Sequence, residues 1–526
     1  MTAAPVDAPS SEIPTPPLPA VSSTQRRFAF TIAMNLTRTG VSFVTTMLAA
    51  RWLGPSSYGT MAFLLGTFAG LRAALDMGSS AAFFTFMSQQ TRSQRFVRRF
   101  LVWLALQFVL PLIVIGLIVP VSWTTRIWHA EPLPLILLAF AAAFMQGSVW
   151  PVVQQVCEAQ RRTYLAQGLG VTVVVLHLVA VGCFWWFGML GVPMLMGAVA
   201  IEYMIAAAVA LQLLEFPGPS GPEPLGVYLR RFVTYCLPLI PFAAVSFGNE
   251  FVDRWMLQQY GGGVQQAFYS VSAQLASISL IATTSILNIF WKEIAEAHHR
   301  KDHARTAALY RRVTRLLFFV GATVSGFLMP WSGELLRFIL GPAYFGGASA
   351  LMIMLLYPVH QTMGQVGATM MYATERVGIQ VVVGSAVMVL GMITTYFVLA
   401  PPTNAVPGFG LGSTGLTLKM VGIQIISVNL LAFAIARLNG WKFDWVFQPL
   451  ALGICIGAGW LAHVTVLVAL PTAWALPIRI VPAGVLYCGV LLATTFWFPG
   501  LVASSRDEYR NAVRRLTALV TRRGSA

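Results

Sequence analysis

Only four lysines (Lys292, Lys301, Lys419, Lys442) occur in 526 residues, and none precedes serine or threonine. A G-x-x-x-x-G-K-[ST] phosphate loop is therefore absent, and with it that route to nucleotide hydrolysis. No two aspartates stand two apart, which removes a D-x-D nucleotide-sugar metal site, and no H-E-x-x-H occurs. His299 and His303 have the one-turn spacing of a metal pair, but a solvated basic helix accounts for them better. No metal site and no bound cofactor are expected. The five cysteines (Cys157, Cys183, Cys236, Cys455, Cys488) are odd in number, show no C-x-x-C spacing and fall mostly in apolar runs, so no structural disulfide is expected. Charge itself is scarce, at 10% of residues, and acidic charge scarcer still, with 18 Asp and Glu against 34 Lys and Arg.

What fills the chain instead is apolar. Hydrophobic residues make up 57%, and the mean hydropathy is +0.72, more than one globular core could hide. Crossing about 30 Å of hydrocarbon takes about 20 apolar residues at about 1.5 Å per residue. Such runs recur from Phe28 to Pro499. Backbone groups in lipid must pair within their own segment, so these runs are helices. The expectation is an all-α polytopic membrane protein with about 14 spans.

The net charge of +16 suggests nucleic acid only until the charges are placed. About 26 of the 34 Lys and Arg fall in the tails and alternate loops of one side, including Arg26, Arg27, Arg92, Arg95, Arg161, Arg162, Arg230, Arg231, Arg376 and Arg437. This is the positive-inside pattern, and with an even span number it puts both termini in the cytoplasm. The expected partners are therefore membrane lipids and not nucleic acid. Residues 1–27 have no apolar stretch before the first span and read as a disordered cytoplasmic tail. The Gly/Pro-rich 216–231 breaks helices and divides 28–215, with helices 1–6, from 232–438, with helices 7–12. Helices 13 and 14 follow in 445–500, then a basic tail, 501–526. The segment Lys292–Arg312 reads as an amphipathic extension of the eighth helix.

Weak internal repeats fit a duplicated bundle. Arg51 and Trp52, a glycine turn and Tyr58 are echoed by Arg254, Trp255, the Gly261–Gly263 turn and Phe268, and LGPSSYG at 53–59 by LGPAYFG at 340–346. Chance matches in a glycine-rich chain are the competing explanation.

Charges inside spans carry the functional reading, since one ionisable side chain at mid-membrane costs about 2.5–3.5 kcal/mol. Arg38 lies mid-span with no acidic residue three or four positions away. Arg72 and Asp76, Asn249 and Asp253, and Glu250 and Arg254 are i,i+4 pairs. On one reading these pairs only pin helices together, while Arg51 and Lys419 snorkel to an interface. For Lys419, near a helix start, that reading is preferred. On the other, Arg38, Arg72 and Arg254 line a water-filled cavity between two bundles and hold a phosphate through bidentate guanidinium bonds. Trp52, Tyr58, Trp255 and Phe268 could stack sugar rings, and an interfacial aromatic belt explains them equally well.

ARWLGPSSYG at 50–59 and DMGSSAAFFTFMSQQ at 76–90 are similar to the opening of Wzx-type polysaccharide biosynthesis flippases, in the multidrug/oligosaccharidyl-lipid/polysaccharide (MOP) exporter superfamily. LPLIPFAAVSFGNEFVDRW at 237–255, AFYSVSAQLASISL at 267–280 and FILGPAYFGGASALMIML at 338–355 resemble that family's second half. The resemblance covers most of 28–438. It implies two six-helix lobes in a V plus two C-terminal helices, working by alternating access in the bacterial inner membrane. It also implies a transporter and not an enzyme, moving an undecaprenyl-pyrophosphate-linked oligosaccharide such as an exopolysaccharide or O-antigen repeat unit, alongside a polysaccharide polymerase and co-polymerase. The pyrophosphate role falls by position on Arg38, Arg72 and Arg254. Asp76, Glu250 and Asp253 are the candidates for coupling to H+ or Na+, or for internal pairing. A drug/cation antiporter of the same superfamily is the alternative, and a membrane glycosyl polymerase or ligase a more distant one.

Overall fold

In the computed structural model the chain is helical throughout its spans, because each apolar run satisfies its backbone internally. The structure describes residues 21–89, 92–215, 224–280, 287, 290, 293–294, 296–297, 299–374, 376–471 and 474–502. Residues 1–20 of the expected N-terminal tail, 216–223 of the glycine/proline linker, 503–526 of the C-terminal tail and Lys292 lie outside those residues, whereas 21–27 and 225–231, expected as tail and linker, are helical.

Among the described residues eleven helices are long and apolar enough to cross a membrane, or twelve when the pair Phe30–Asp76 and Ser79–Gln89, bent by 54°, counts as one. Two continuous helical stretches are each far too long for one crossing, and each contains a glycine where the helix stops and restarts. Val21–Asp76 breaks at Gly54 (φ 75°, ψ 166°). Ile240–Ala276 breaks at Gly262 (φ 66°, ψ −173°). Splitting at these two points yields 14 spans. We number them α1 (21–53), α2 (55–89), α3 (94–118), α4 (133–159), α5 (163–186), α6 (192–212), α7 (225–261), α8 (263 onward), α9 (303–328), α10 (348–373), α11 (377–399), α12 (412–439), α13 (447–469) and α14 (476–497). Lys301 has a positive φ of 57°, and the Asp302 carboxylate accepts from Arg305 N at 2.9 Å. That N-cap starts α9 at His303, so 303–312 belongs to the ninth helix and not to an extension of the eighth.

The repeated motifs share a backbone conformation. Gly54, Gly262 and Gly341 have φ of 75°, 66° and 94°, and Gly341 has ψ 175°. A side chain is disfavoured in that conformation, and proline at the next position opens the new helix after Gly54 and Gly341. All three turns lie at one end of the molecule, the turn end. The arginine-rich connections lie at the other, the basic end.

Two aromatic and aliphatic cores hold the halves. In the first half Phe63, Phe68, Phe83, Phe140 and Phe144 are buried together. In the second half Phe318, Trp331, Val359, Phe447, Cys455 and Tyr487 form a core that already includes α13 and α14. The last two helices are thus part of the second lobe's packing. Gly459 approaches α9 so closely that an added Cβ would stand 2.0 Å from Gly326 O. Tyr487 donates to Thr323 O at 2.8 Å, and Arg479 pairs with Glu334 at 2.7 Å.

The lobes meet most tightly at the turn end, backbone against backbone. A Cβ on Gly59 would sit 1.7 Å from Gly263 O, and one on Gly263 would sit 2.7 Å from Ser56 O. Tyr344 donates to Ala50 O at 2.7 Å, and Arg51 caps carbonyls of the Ser332–Leu340 helix at Phe338 (3.2 Å) and Ile339 (3.3 Å). Toward the basic end α2 runs along α7, with Gly66 against Arg254, Gly70 against Glu250 and Gly78 against Leu239. Burial on α1 is confined to its turn-end half, at Thr45, Met47, Ala49 and Ala50. Ala33, Leu36, Thr37, Thr39 and Gly40 are exposed. The lobes therefore meet through main chain at the turn end, and toward the basic end α2 and α3 stay packed against the start of α7, with Phe86 and Phe100 on Phe232.

Gly59→Val should hold the turn end apart, because overpacking a close contact displaces the backbone. In a background without the five native cysteines, a cysteine replacing Ala50, which is fully buried, should become reactive to a thiol reagent in Gly59→Val and stay protected in the parent. Equal protection in both would mean that this contact does not close the lobes.

Candidate functional site

The three cavity arginines come from both lobes. Arg254 on α7 lies across Gly66 of α2 and donates weakly to Ala62 O at 3.5 Å. One turn further along α2, Gly70 faces Glu250, with an added Cβ 3.5 Å from its Oε2. Arg72 follows, and its guanidinium donates to Gly147 O of α4. That carbonyl belongs to a π-helical turn, Met145–Val149, where the i→i+4 ladder is interrupted. Gly147 admits no side chain here, since a Cβ would lie 2.6 Å from Arg72 Nε. Arg38 of α1 reaches the same helix a little nearer the basic end. Its Cδ lies beside Gly170 of α5 together with Trp150 and Gln154 of α4. Arg72 and Arg38 thus rest on one stretch of α4, 147–154, about 10 Å long at 1.5 Å per residue. Arg38 is within electrostatic reach of Glu158, the cross-helix carboxylate that the sequence could not pair with it. All three arginines are half-buried.

The carboxylates are deployed differently from the i,i+4 expectation. Asp76 is the cap of the helix segment after the bend, accepting from Ser79 Oγ at 3.0 Å, Ser80 N at 3.0 Å and Ser80 Oγ at 2.6 Å. Asp76 is bonded locally because the helix breaks immediately after it and exposes donors there, and it also lies within electrostatic reach of Arg72. Asp253 faces the second lobe, with Asn249 on the same side beside Lys419 and Gly391. Lys419 Nζ meets its two oxygens at 2.8 and 2.7 Å, and Thr395 Oγ1 donates to Oδ1 at 2.5 Å. Lys419 is buried, with its side chain 1% exposed, so it does not snorkel. A neighbouring helix offered a carboxylate closer than the interface. Glu250 alone of the three carboxylates is exposed, between the lobes.

The aromatic candidates are structural in this conformation. Trp52 is stacked on Trp185, with centroids 4.7 Å apart and planes at 13°. Tyr58 and Phe268 are buried in the core that joins the lobes, and Phe268 lies beneath Gly346 and Gly347. Trp255 is half-buried, 6.0 Å from the His129 ring. Tyr58 and Phe268 offer no face to a sugar here, because closing the turn end consumes both.

One half-buried polar pair escaped the sequence reading. His177 Nδ1 of α5 lies 2.9 Å from Glu202 Oε2 of α6, beside a cavity of about 230 Å³ that Tyr203, Gln146 and Ser42 also line. Glu202 was visible as an intramembrane carboxylate, and histidine in the adjacent span was the available signal. Among the described residues no three His, Cys, Asp or Glu side chains converge. The five cysteines are free.

The Lys419–Asp253 pair generates a clear expectation. Breaking a buried pair strands a charge, at about 3–5 kcal/mol, whereas joint apolar replacement is often neutral. Lys419→Met and Asp253→Leu should each lower the melting temperature of detergent-purified protein by several degrees, and the double variant should recover most of the loss. A double variant as unstable as the worse single one would contradict the assignment.

No protein-family model and no curated protein matches the chain, whereas solved structures do. The fold is similar to that of the lipid II flippase MurJ in an inward closed conformation. The TM-score is 0.68 at 11% identity, covering 90% of this chain and 100% of that one. It is also similar to a multidrug resistance MATE family transporter of the MOP superfamily, with TM-score 0.60 at 13% identity for the inward-facing conformation, over 76% of this chain and 96% of that one. For the outward-facing conformation of such a transporter the TM-score is 0.52 at 14% identity, over 79% and 95%. The chain is therefore a multi-pass membrane protein with the fold of MOP-superfamily transporters, closed at the end where its three glycine turns meet.

Proposed function

We propose that this protein is a flippase for an undecaprenyl-pyrophosphate-linked oligosaccharide, an exopolysaccharide or O-antigen repeat unit, in the bacterial inner membrane. The observation that carries the reading is a set of three half-buried intramembrane arginines. Arg254 lies across the lobe boundary against α2, and Arg38 and Arg72 pack on α4, while Asp253 is neutralised by Lys419. Exposed Glu158 lies within electrostatic reach of Arg38, and Asp76 and exposed Glu250 within reach of Arg72. A pyrophosphate accepts the forked bonds guanidinium gives and would compete with these carboxylates for them. A fold shared with a lipid II flippase supports a lipid-linked cargo. The positive-inside bias makes the basic end cytoplasmic, the side on which a lipid-linked sugar is assembled. Without a nucleotide-binding loop, the driving force falls to an H+ or Na+ gradient or to the substrate gradient. A polymerase and co-polymerase would act on the exported unit.

Each charge-assisted contact contributes about 1.5–3 kcal/mol. Arg38→Ala, Arg72→Ala and Arg254→Ala should each weaken binding of undecaprenyl pyrophosphate to the purified protein by one to two orders of magnitude and abolish polymer export at normal protein levels. Lysine should restore part of the loss, keeping charge without the fork. Parental binding and export in Arg38→Ala would sink the anion-cavity mechanism. For orientation, cysteines at Ser56 and Thr403 should react with an impermeant thiol reagent from outside the cell, and one at Arg437 should not. The reverse pattern would invert the topology.

A further inference from the structure

A groove of about 530 Å³ lies outside the interlobe space, on the flank where α3 of the first lobe meets the start of α7. Val102, Trp103 and Leu106 form one wall and Leu229, Val233 and Leu237 the other, all exposed and apolar. Arg98, exposed, and Arg99 stand at its basic-end mouth. At the deep end is Asp76, whose carboxylate is already bonded to Ser79 and Ser80. Trp103 Nε1 donates to Ser79 Oγ at 3.2 Å, so the indole presents carbon to the groove.

Charge and length together identify the occupant. Arg98 and Arg99 line this mouth, Arg92, Arg95, Arg230 and Arg231 are near them in the same two segments, and neither 77–130 nor 224–249 contains a single Asp or Glu. The local potential is strongly positive at the level where lipid headgroups lie. From Arg98 to Leu106 the α3 wall runs about 12 Å at 1.5 Å per residue, close to the roughly 15 Å depth of one leaflet of a 30 Å hydrocarbon core. A cationic rim above a leaflet-deep apolar wall is complementary to a single amphiphile with a phosphate head.

We infer that this groove is a binding site for an anionic glycerophospholipid of the basic-end leaflet, its phosphate on Arg98 and Arg99 and one acyl chain along Trp103. The lipid bridges the two lobes at their α3–α7 seam, so its occupancy couples membrane composition to lobe movement.

Trp103 provides the test. Phosphatidylglycerol carrying brominated acyl chains, added to full-length protein in phosphatidylcholine nanodiscs, should quench a fluorescence component that Trp103→Phe lacks. Brominated phosphatidylcholine at the same fraction should not. Arg98→Gln and Arg99→Gln should each raise the half-quenching fraction about fivefold, the factor one basic residue near an anionic surface contributes. Arg98→Lys should change it little, and melting temperatures should stay parental. Equal quenching by both lipids, or an unshifted curve in both glutamine variants, would overturn the site. Displacement of the brominated phosphatidylglycerol by stoichiometric undecaprenyl pyrophosphate would also overturn it, assigning the groove to the transported lipid's tail. Export measured in the same variants keeps this failure separate from that of the flippase reading, because Arg98 and Arg99 lie outside the interlobe space.

Discussion

The contact between Gly59 and Gly263 sets the state of the whole molecule. With 1.7 Å between a would-be Cβ and the opposing carbonyl oxygen, the two helix starts touch through main chain alone. Nothing of side-chain length separates the lobes there, so Tyr344 reaches Ala50 and Arg51 reaches the end of the Ser332–Leu340 helix. The burial of Tyr58 and Phe268 follows from the same approach. Such a joint is held by packing and a few hydrogen bonds, without an interlobe ion pair at its centre. Contacts of this kind can be lost and regained at modest cost, which suits a closure that must reverse.

The intramembrane charges divide into two sets by what each could find. Where a partner stood on a neighbouring helix of the same lobe, the pair closed on itself, as Lys419 did with Asp253 and His177 with Glu202. Where the neighbouring surface belonged to the other lobe or to a backbone carbonyl, the cation stayed at the interlobe boundary, as Arg72 and Arg254 did. Desolvation enforces the first outcome, because a lone charge inside a lobe is unaffordable. The second outcome survives only where water or a ligand can reach the charge.

Hydropathy, the charge asymmetry and the glycine motifs determined much of this protein on their own. The spans are legible because lipid imposes one solution on an apolar run of about 20 residues. The two boundaries at Gly54 and Gly262 are legible because three motifs in the chain repeat one backbone conformation. That Arg38 needs a partner from another helix was visible for the same kind of reason, and Glu158 of α4 lies within its electrostatic reach. Tertiary structure alone decided the partners. Sequence spacing proposes i,i+4 pairs, but Asp76 lies at a helix break where local donors bond it, and Asp253 is claimed by Lys419 from 166 positions away. The stacking of Trp52 on Trp185 and the lodging of Arg72 against Gly147 likewise depend on helices distant in the chain. Local periodicity encodes which face of a helix is apolar, whereas the partner of a buried charge is set by which helix packs beside it, and that is a property of the assembled bundle.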